Sequence, residues 1–294
     1  PEIEAKMAAC TDLGPIYGAQ LRDFRDYRTD GAVTTPLGNM VGGIDQRSTD
    51  AVAAFYGAFV DTVVPVGSTE VAELTKLLEN TFRHVNIALV NELAMFAHDL
   101  DIDIDDAITA AASKPFGFMS FRPGPGVGGH CLPIDPTYLS WRVRRRLGTS
   151  FRFVELANDV NDHMPDYVVR RIQAGLNERE LPVRGRNVVL LGLAYKADTS
   201  DARETPTRAV VAGLLSLGAQ VTVIDPHVPV AQFPEGVTAI VDDSTSSATA
   251  LATADAVVVL VAHDSTDLAG LPAAATWTLD CTYQVPAAVN VERL

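Results

Sequence analysis

A cysteine in a loop rich in glycine and proline is the most reactive side chain that the sequence presents. Cys131 closes the run FRPGPGVGGHC, and Asp135 follows four residues later. Thiolates are strong nucleophiles, and glycines let a ligand approach backbone amides that suit an anion such as a pyrophosphate. The loop therefore indicates covalent catalysis by Cys131, with a buried structural cysteine as the alternative. Asp135 either orients a base or a water, or forms a turn or helix cap before Pro136.

Lys76 and Asn80 form a second candidate pair, because an i, i+4 spacing places them on one face of a helix. An ammonium and an amide on that face could stabilise a developing oxyanion or hold a water. A solvated helix face is the alternative, and base rates favour it. His130 precedes Cys131 and could influence its thiolate, although adjacent side chains usually point apart.

The segment GLAYKADTSDARETP carries a third set of candidates. Gly192 stands where a dinucleotide fold has its first glycine, but the rest of the GxGxxG fingerprint is missing. Lys196 and Arg203 could bind a phosphate or nucleotide, or they could be surface charges near a helix N-terminus. His227 is expected in a loop after the following strand.

The elements that must position these residues begin with a region, residues 1–46, that is dominated by turn formers after a short helical pattern. A helix with Ser48 or Thr49 as its N-cap follows, and VVPVGS then predicts a short strand. From Ser68 the chain lacks glycine and proline for more than thirty residues, which predicts a long helix. Its wide apolar surface is expected to need a partner subunit: Leu74, Leu77, Leu78, Phe82, Val85, Leu89, Leu93 and Phe96.

Three further helical segments are predicted in DIDDAITAAAS, TYLSWRVRRRLG and FRFVELANDVNDHMPDYVVRRIQAGL, with FRPGPGVGGHCLPIDP as a loop between the first two. After the polar linker NERELPVRG, short apolar strands alternate with helices, which is typical of a doubly wound α/β domain with a parallel sheet. The predicted division is a poorly defined remnant at 1–46, a central helical and catalytic-loop region at 47–163, and an α/β domain at 164–294.

Composition excludes several classes of protein. Lys and Arg number 23 against 37 Asp and Glu, a net charge of −14, so nucleic acid is not expected as a partner. No apolar run is long enough for a membrane span, and PEIEAKMAAC lacks the features of a signal peptide, so a cytoplasmic location is expected. The three cysteines show neither a disulfide framework nor metal-ligand spacing, and no metal is predicted. Without an initiator methionine, the chain is expected to lack an N-terminal portion.

Four segments together resemble the nucleotide-sugar 6-dehydrogenase family, which includes UDP-glucose, GDP-mannose and UDP-N-acetylhexosamine dehydrogenases. They are TKLLENTFRHVNIALVNE, PGPGVGGHCLPIDP, FVELANDVNDHMPDYVV and LGLAYKADTSDARETP, in the family's order over about residues 41 to 285. HCLPIDPTYLSW looks most like the N-acetylglucosamine or N-acetylmannosamine branch. The resemblance implies a four-electron oxidation of the sugar C6 alcohol to a carboxylate, with NAD as the acceptor, in a homodimer held by the long helix.

The same resemblance implies roles for individual residues. Cys131 would be the nucleophile, Lys76 and Asn80 would stabilise oxyanions, and Asp135 would work with the lysine on a water. Arg203 would reach towards NAD. Substrate-binding roles would fall to Arg122, Gly124, Gly126, Gly128, Gly129, Tyr195 and Lys196.

Two departures from the family pattern leave alternatives open. The family's N-terminal GxGxxG domain is not visible, and SKPFGFMSF stands where a neighbouring subunit usually contributes an arginine, so Lys114 would substitute or the contact would be absent. One alternative is therefore a catalytically silent, dimeric UDP-sugar-binding protein. A UDP-glucose 6-dehydrogenase is another. A relative of the β-hydroxyacid dehydrogenases shares the long helix but leaves the cysteine loop without a task.

Overall fold

The computed structural model describes residues 39–58, 60, 62–129, 131–241 and 244–294, without the side chains of Asn39 and Cys131. Two compact units are present, Pro1–Leu78 and Glu79–Leu294, and the boundary falls inside the long helix. Most of the remnant expected at 1–46, together with His130, lies outside the described residues. The three-part division expected from the sequence stays a prediction.

The described part of the first unit pairs two short parallel strands around a helix. It contains β1 (Asn39–Val41), α1 (Gln46–Gly57), β2 (Val63–Pro65) and the start of α2 (Thr69–Asp99). The predicted N-cap was wrong, because the carboxylate of Asp45 accepts the hydrogen bond from the Ser48 N–H at 2.7 Å. Thr49 is buried instead, and its hydroxyl oxygen accepts from the Gly43 N–H at 2.9 Å.

The helices of the second unit place the cysteine loop. The long helix α2 is confirmed, and it is followed by α3 (Ile104–Ala112), α4 (Cys131–Leu147) and α5 (Arg152–Glu178). The prediction of a loop through residue 136 was wrong, because α4 begins at Cys131 and includes Pro136. Pro133 lies in the first turn, where N–H groups have no intrahelical partner, whereas Pro136 lies inside the helix and removes one backbone hydrogen bond. None of the helices in the described ranges has the combined length and hydropathy to span a membrane.

A six-stranded sheet forms the C-terminal half of the second unit. All neighbouring strands pair in parallel, in the order β5-β4-β3-β6-β7-β8. The strands are β3 (Asn187–Leu191), β4 (Gln220–Ile224), β5 (Thr238–Ile240), β6 (Ala256–Val259), β7 (Thr278–Asp280) and β8 (Val291–Arg293). The helices among them are α6 (Thr207–Ser216), α7 (Ser244–Ala252) and α8 (Leu271–Ala274). The predicted α/β class with a parallel sheet is confirmed, while β1, β5 and β8 were not predicted.

Burial on both faces explains why the central strands are continuously apolar. Val188 and Leu190 of β3 pack into a core cluster that contains residues of α5, whereas Val189 and Leu191 pack into a second cluster with Leu271 of α8. Successive side chains of a strand point to opposite faces, so both faces of β3 must be apolar. The sheet is therefore covered on both sides.

Candidate active site

Two of the predicted catalytic residues are in direct contact. The side-chain amide of Asn80 in α2 donates a hydrogen bond to Asp135 Oδ2 in α4 at 2.7 Å. Asn80 is buried, so the interpretation of this helix face as solvated was wrong. Asp135 lies inside the helix, so it is neither a turn former nor a cap. Because Asp135 is four residues after Cys131 in α4, the two residues share one face of that helix.

The other two catalytic candidates are placed less completely. Lys76 lies one helical turn before Asn80 in α2, belongs to the first compact unit and is buried. Cys131 is the first residue of α4, but its side chain is outside the described part of the structure.

Buried amide side chains tether the cysteine loop to the helices. The Gly124 N–H donates to Asn91 Oδ1 at 2.9 Å, and Asn91 Nδ2 donates to Asn161 Oδ1 at 3.0 Å. Asn161 in turn donates to the carbonyl oxygen of His84 at 3.3 Å. His84 Nε2 is 2.7 Å from Asn158 Oδ1, and these four residues from α2 and α5 are called the loop-anchoring network. It holds the start of the loop in place through groups without formal charge.

The environment of His84 keeps that network neutral. The side chain is 1% exposed, and burial lowers its pKa because a charged imidazolium would lose its hydration. The hydrogen bond with Asn158 and the nearby Asp162 raise the pKa, but they do not outweigh burial. His84 therefore acts as an uncharged link between α2 and α5.

Tyr195 contacts the end of the cysteine loop and explains two of its glycines. A Cβ at Gly129 would lie 2.9 Å from the Tyr195 ring, and Gly129 has a φ of +84°. A Cβ at Gly128 would lie 2.9 Å from the Glu204 carbonyl oxygen and 3.0 Å from Tyr195 Cβ. Any other residue would collide with the turn that follows β3. The structure thus brings together Gly128, Gly129 and Tyr195, which were predicted separately as substrate-binding residues.

The predicted cationic residues are engaged in local contacts. Arg122 forms an ion pair with Asp105 and donates to Thr109 Oγ1 at 3.2 Å, both in α3. Lys196 Nζ lies 5.9 Å from the centre of the Tyr195 ring, within the range of a cation–π interaction. Arg203 forms a two-point pair with Asp201, with distances of 2.9 and 2.7 Å, and it is exposed. Lys114 is exposed beyond α3.

Asp225, at the end of β4, is the centre of a second buried polar cluster. Its carboxylate accepts from the N–H groups of Leu193 and Ala194 at 2.7 and 2.8 Å, and it lies 3.0 Å from His263 Nε2. Burial alone would raise the pKa of Asp225, but the hydrogen bonds from His263 and backbone N–H groups hold that pKa well below its ordinary range. Asp225, His263 and Asp198, whose N–H donates to His263 Nδ1 at 3.0 Å, are called the strand-end network.

The strand-end network lies where a dinucleotide-binding fold holds the ribose and pyrophosphate of NAD. Asp225 occupies the place where a dinucleotide fold has the acid that binds a ribose, yet it is fully buried and saturated by hydrogen bonds. A Cβ at Gly192 would collide with Val261, so packing requires this glycine. The described residues therefore do not fit a dinucleotide at this turn.

Sequence reasoning missed His84, Asn91, Asn158 and Asn161. Asn91 and Asn161 are polar residues at buried positions of amphipathic helices, where an apolar residue would be expected. That mismatch between residue type and helix face is the one signal that could have identified them. Asp225 and His263 likewise follow buried strands, and their contact depends on which strands are neighbours in the sheet.

Two stretches of the chain match models of one protein family. Residues 70–163 match the model of the UDP-glucose/GDP-mannose dehydrogenase family, central domain, and residues 189–281 match the UDP binding domain of the same family. The UDP-N-acetyl-D-mannosamine dehydrogenase of Methanococcus maripaludis is 34% identical over 226 residues, which cover 77% of this chain and 49% of that protein. The chain spans about half the length of such curated relatives.

Two solved structures have the same fold. A UDP-D-ManNAc dehydrogenase from Pyrococcus horikoshii has a TM-score of 0.71 and 26% identity, over 87% of this chain and 59% of that chain. A UDP-glucose dehydrogenase from Pyrobaculum islandicum has a TM-score of 0.72 and 29% identity, over 88% of this chain and 58% of that chain. The two family models together cover more than half of the sequence, including the cysteine loop. The chain belongs to the UDP-glucose/GDP-mannose dehydrogenase family.

Proposed function

We propose that the whole protein oxidises the C6 alcohol of a UDP-sugar to a carboxylate through a covalent intermediate on Cys131. The observation that carries the proposal is the 2.7 Å hydrogen bond between Asn80 and Asp135, which joins two of the four catalytic candidates. Asp135 follows Cys131 by four residues in α4 and is hydrogen-bonded to Asn80 of α2, so the three residues come from two helices that this bond connects. This arrangement supplies a nucleophile, a group that orients water and a hydrogen-bond donor.

Each of these groups has a defined task in the proposed chemistry. The Cys131 thiolate adds to the C6 aldehyde, and the thiohemiacetal becomes a thioester when it loses a hydride. Asp135 orients the water that hydrolyses this thioester, while Asn80 fixes the carboxylate and donates towards the oxyanion, with Lys76 adding a positive charge. A serine at position 131 is a weaker nucleophile near neutral pH, and its ester is less open to water.

The substrate would lie along the glycine loop. Gly124, Gly126, Gly128 and Gly129 offer backbone groups to the sugar and diphosphate, and Tyr195 and Lys196 contact the nucleotide from the turn after β3. The Tyr195 ring lies against Gly129, so the residues proposed for the nucleotide are next to the loop proposed for the sugar and diphosphate. Arg122 would first have to exchange its pairing with Asp105 for the substrate.

An N-acetylhexosamine is the proposed sugar, either N-acetylmannosamine or N-acetylglucosamine. The segment HCLPIDPTYLSW and the names of the Methanococcus and Pyrococcus relatives support an N-acetylhexosamine as the sugar. UDP-glucose is the competing substrate, because the similar structure from Pyrobaculum islandicum is that of a UDP-glucose dehydrogenase. Turnover of the three UDP-sugars side by side would decide among them.

NAD is the proposed hydride acceptor, and two molecules of it would take up the four electrons. Since the turn after β3 does not fit a dinucleotide, the cofactor would be held by residues outside those that the structure describes, with Arg203 reaching towards it. Arg203 would then exchange its pairing with Asp201.

A homodimer through α2 is the proposed assembly, in the cytoplasm. The helix exposes large apolar side chains at helical spacing, including Phe82, Leu89, Leu93 and Phe96. A stripe of this size on a soluble protein usually marks an interface. Leu89→Asp should convert the dimer to a monomer in size-exclusion chromatography with light scattering, whereas Asp99→Ala, at the exposed end of the same helix, should leave the dimer intact.

The decisive experiment measures NADH formation by the full-length protein with each UDP-sugar. Cys131→Ser should lower kcat by roughly a thousandfold or more, in line with the loss of a nucleophile. Cys281→Ala is the matched control, because Cys281 is buried and burial raises its pKa, which leaves the thiol inert. The proposal is wrong if no UDP-sugar gives NADH, or if Cys131→Ser leaves turnover unchanged.

A UDP-sugar-binding protein without catalysis is the second candidate function. The observation that favours it is the absence of a dinucleotide cradle at the turn after β3 among the described residues. Intact mass of the native protein separates the two candidates. A native chain near 31 kDa that binds UDP-sugars without turnover supports the binding protein, and a chain about twice as long, like the relatives of which this sequence spans 49%, supports the enzyme.

A further inference from the structure

Three side chains that are not among the catalytic candidates lie close together at the carboxyl ends of the central strands. His227 Nε2 lies 3.5 Å from Asp198 Oδ1, and His263 Nδ1 lies 3.8 Å from the same oxygen. All three potential ligand atoms lie within 4.8 Å of one another. Ligands of a tetrahedral zinc ion stand roughly 3.3 Å apart, as bond lengths of about 2.0 to 2.1 Å require. The triangle is therefore wider than a zinc site, and its longest side must shorten by as much as about 1.5 Å when a metal binds.

The sheet topology accounts for this convergence. Asp198 follows β3, His227 follows β4 and His263 follows β6, and these strands are neighbours in the order β4-β3-β6. Carboxyl ends of adjacent parallel strands form the crevice where α/β proteins bind ligands. The residues are far apart in the sequence, which is why cysteine and histidine spacing predicted no metal.

Asp225 prepares His263 for a metal. The Asp198 N–H donates to His263 Nδ1, so Nδ1 carries the lone pair and the proton resides on Nε2. Nε2 then donates to the buried Asp225 carboxylate at 3.0 Å. A histidine that donates its second ring N–H to a carboxylate is the usual arrangement behind a metal-binding imidazole, because it fixes the tautomer and raises the basicity of the ligand nitrogen.

We propose that Asp198, His227 and His263 bind a divalent transition metal ion of the zinc class. Two imidazole nitrogens and one carboxylate oxygen suit Zn²⁺ or Co²⁺ better than Mg²⁺ or Ca²⁺, which prefer oxygen ligands. A water would complete the four ligands. His227 and Asp198 are partly exposed, with side-chain exposures of 35% and 42%, so solvent provides the entry path.

One hydrogen bond must be given up when the metal binds. The Asp198 N–H now uses the Nδ1 lone pair, and ligation would release it. Losing a hydrogen bond between neutral groups weakens binding by roughly fivefold to tenfold. Asp198 sits at a positive φ of 55° in an exposed turn, where a local rearrangement disturbs no core residue.

The experiment titrates the full chain with CoCl₂ and follows visible absorption, and then measures Zn²⁺ by displacement of Co²⁺. All proteins carry Cys10→Ser and Cys131→Ser, so that the buried Cys281 is the one cysteine left in the sequence. The parent should bind one equivalent with a tetrahedral cobalt spectrum, and His227→Ala should weaken binding by roughly tenfold or more. Asp198→Asn should weaken it as well, while its amide oxygen still accepts the hydrogen bond from the Asp264 N–H.

Matched controls separate this site from surface binding and from misfolding. His163→Ala removes an exposed histidine that contacts only its own helix, and Asp264→Asn removes a neighbouring exposed carboxylate. Both should bind cobalt like the parent, and circular dichroism should show that all variants are folded. The proposal is overturned if the parent does not bind cobalt at micromolar concentrations, or if His227→Ala and His163→Ala bind it equally. Because no readout uses turnover, failure here would not affect the proposed dehydrogenase function.

Discussion

The loop-anchoring network and the strand-end network hold two functional segments by different chemistry. In the first, Asn91 and Asn161 connect the glycine loop to α2 and α5 through amide groups, with a neutral His84 at the far end. In the second, the carboxylate of Asp225 gathers backbone N–H groups and one histidine at the ends of β3, β4 and β6.

The first network consists of uncharged groups, whereas the second depends on the negative charge of a carboxylate. A neutral amide costs less to desolvate than a charged group, and each of its hydrogen bonds contributes about 1 kcal/mol. A buried carboxylate is costly to desolvate and is stabilising only while several donors surround it. The two networks should therefore respond differently to truncation and to pH.

Removing the carboxylate should have the largest effect on stability. Asp225→Ala leaves four backbone N–H groups without their acceptor, three of them buried, and we expect the free energy of unfolding to fall by about 3 kcal/mol. Urea denaturation at pH 7 measures this. Asp264→Ala, an exposed aspartate one residue beyond His263, should change stability by less than about 0.5 kcal/mol. Equal losses in the two variants would contradict the assignment of Asp225 as the centre of this network.

Breaking the amide network should cost somewhat less. Asn91→Leu leaves the Gly124 N–H and Asn161 Oδ1 without partners, so we expect a loss of about 2 kcal/mol and an increase in KM as the loop becomes mobile. Asn86→Leu, on the same helix but bonded only to the Phe82 carbonyl, is the control. If both variants retain wild-type KM, the network does not position the loop.

The pH dependence should distinguish the two networks. Burial lowers the pKa of His84, so the unfolded chain takes up a proton below about pH 6.5 that the folded chain does not, and stability falls as pH decreases. The expected slope is at most about 1.4 kcal/mol per pH unit, and it should shrink in His84→Gln. The Asp225 contribution is present above about pH 4 and is lost only as pH falls further, towards its lowered pKa. Urea denaturation from pH 8 to 3 tests both windows, and an unchanged slope between pH 7 and 5 in His84→Gln would rule out the first.

The smallest effect on stability is expected at Arg203. Its pair with Asp201 is exposed, so Arg203→Gln should change the free energy of unfolding by less than about 0.5 kcal/mol. If Arg203 contacts NAD as proposed, the variant should instead raise the KM for NAD. An unchanged KM for NAD would remove Arg203 from the cofactor site.

Sequence patterns predicted the elements that have a strong period and missed those that depend on tertiary contacts. The absence of glycine and proline predicted α2, and continuous apolar runs predicted β3 and β6. Strands of three residues such as β5 and β8 have too few positions to show a pattern. The start of α4 was hidden by Pro133 and Pro136, which usually indicate a loop.

The candidate site was predictable only where chemistry and spacing coincided. Asp135 was singled out because it follows Cys131 by four residues, and Asn80 because it follows Lys76 by four residues on a helix; their contact in the structure supports both. Asn91 and Asn161 were missed because they are 70 residues apart and only packing of α2 against α5 reveals that they meet. Their one local signal, a polar residue on a buried helix face, does not reveal the partner, which for Asn91 is the backbone N–H of Gly124.

The Tyr195 ring against Gly129 also has a consequence for the order in which the protein matures. The ring belongs to a segment that leaves the ribosome well after the cysteine loop has been synthesised, and it follows the first strand of the C-terminal sheet. A nascent chain that ends before this strand therefore lacks the surface on which the loop settles. The backbone of Gly128 and Gly129 thus meets its packing partner only after the segment that carries Tyr195 has been translated.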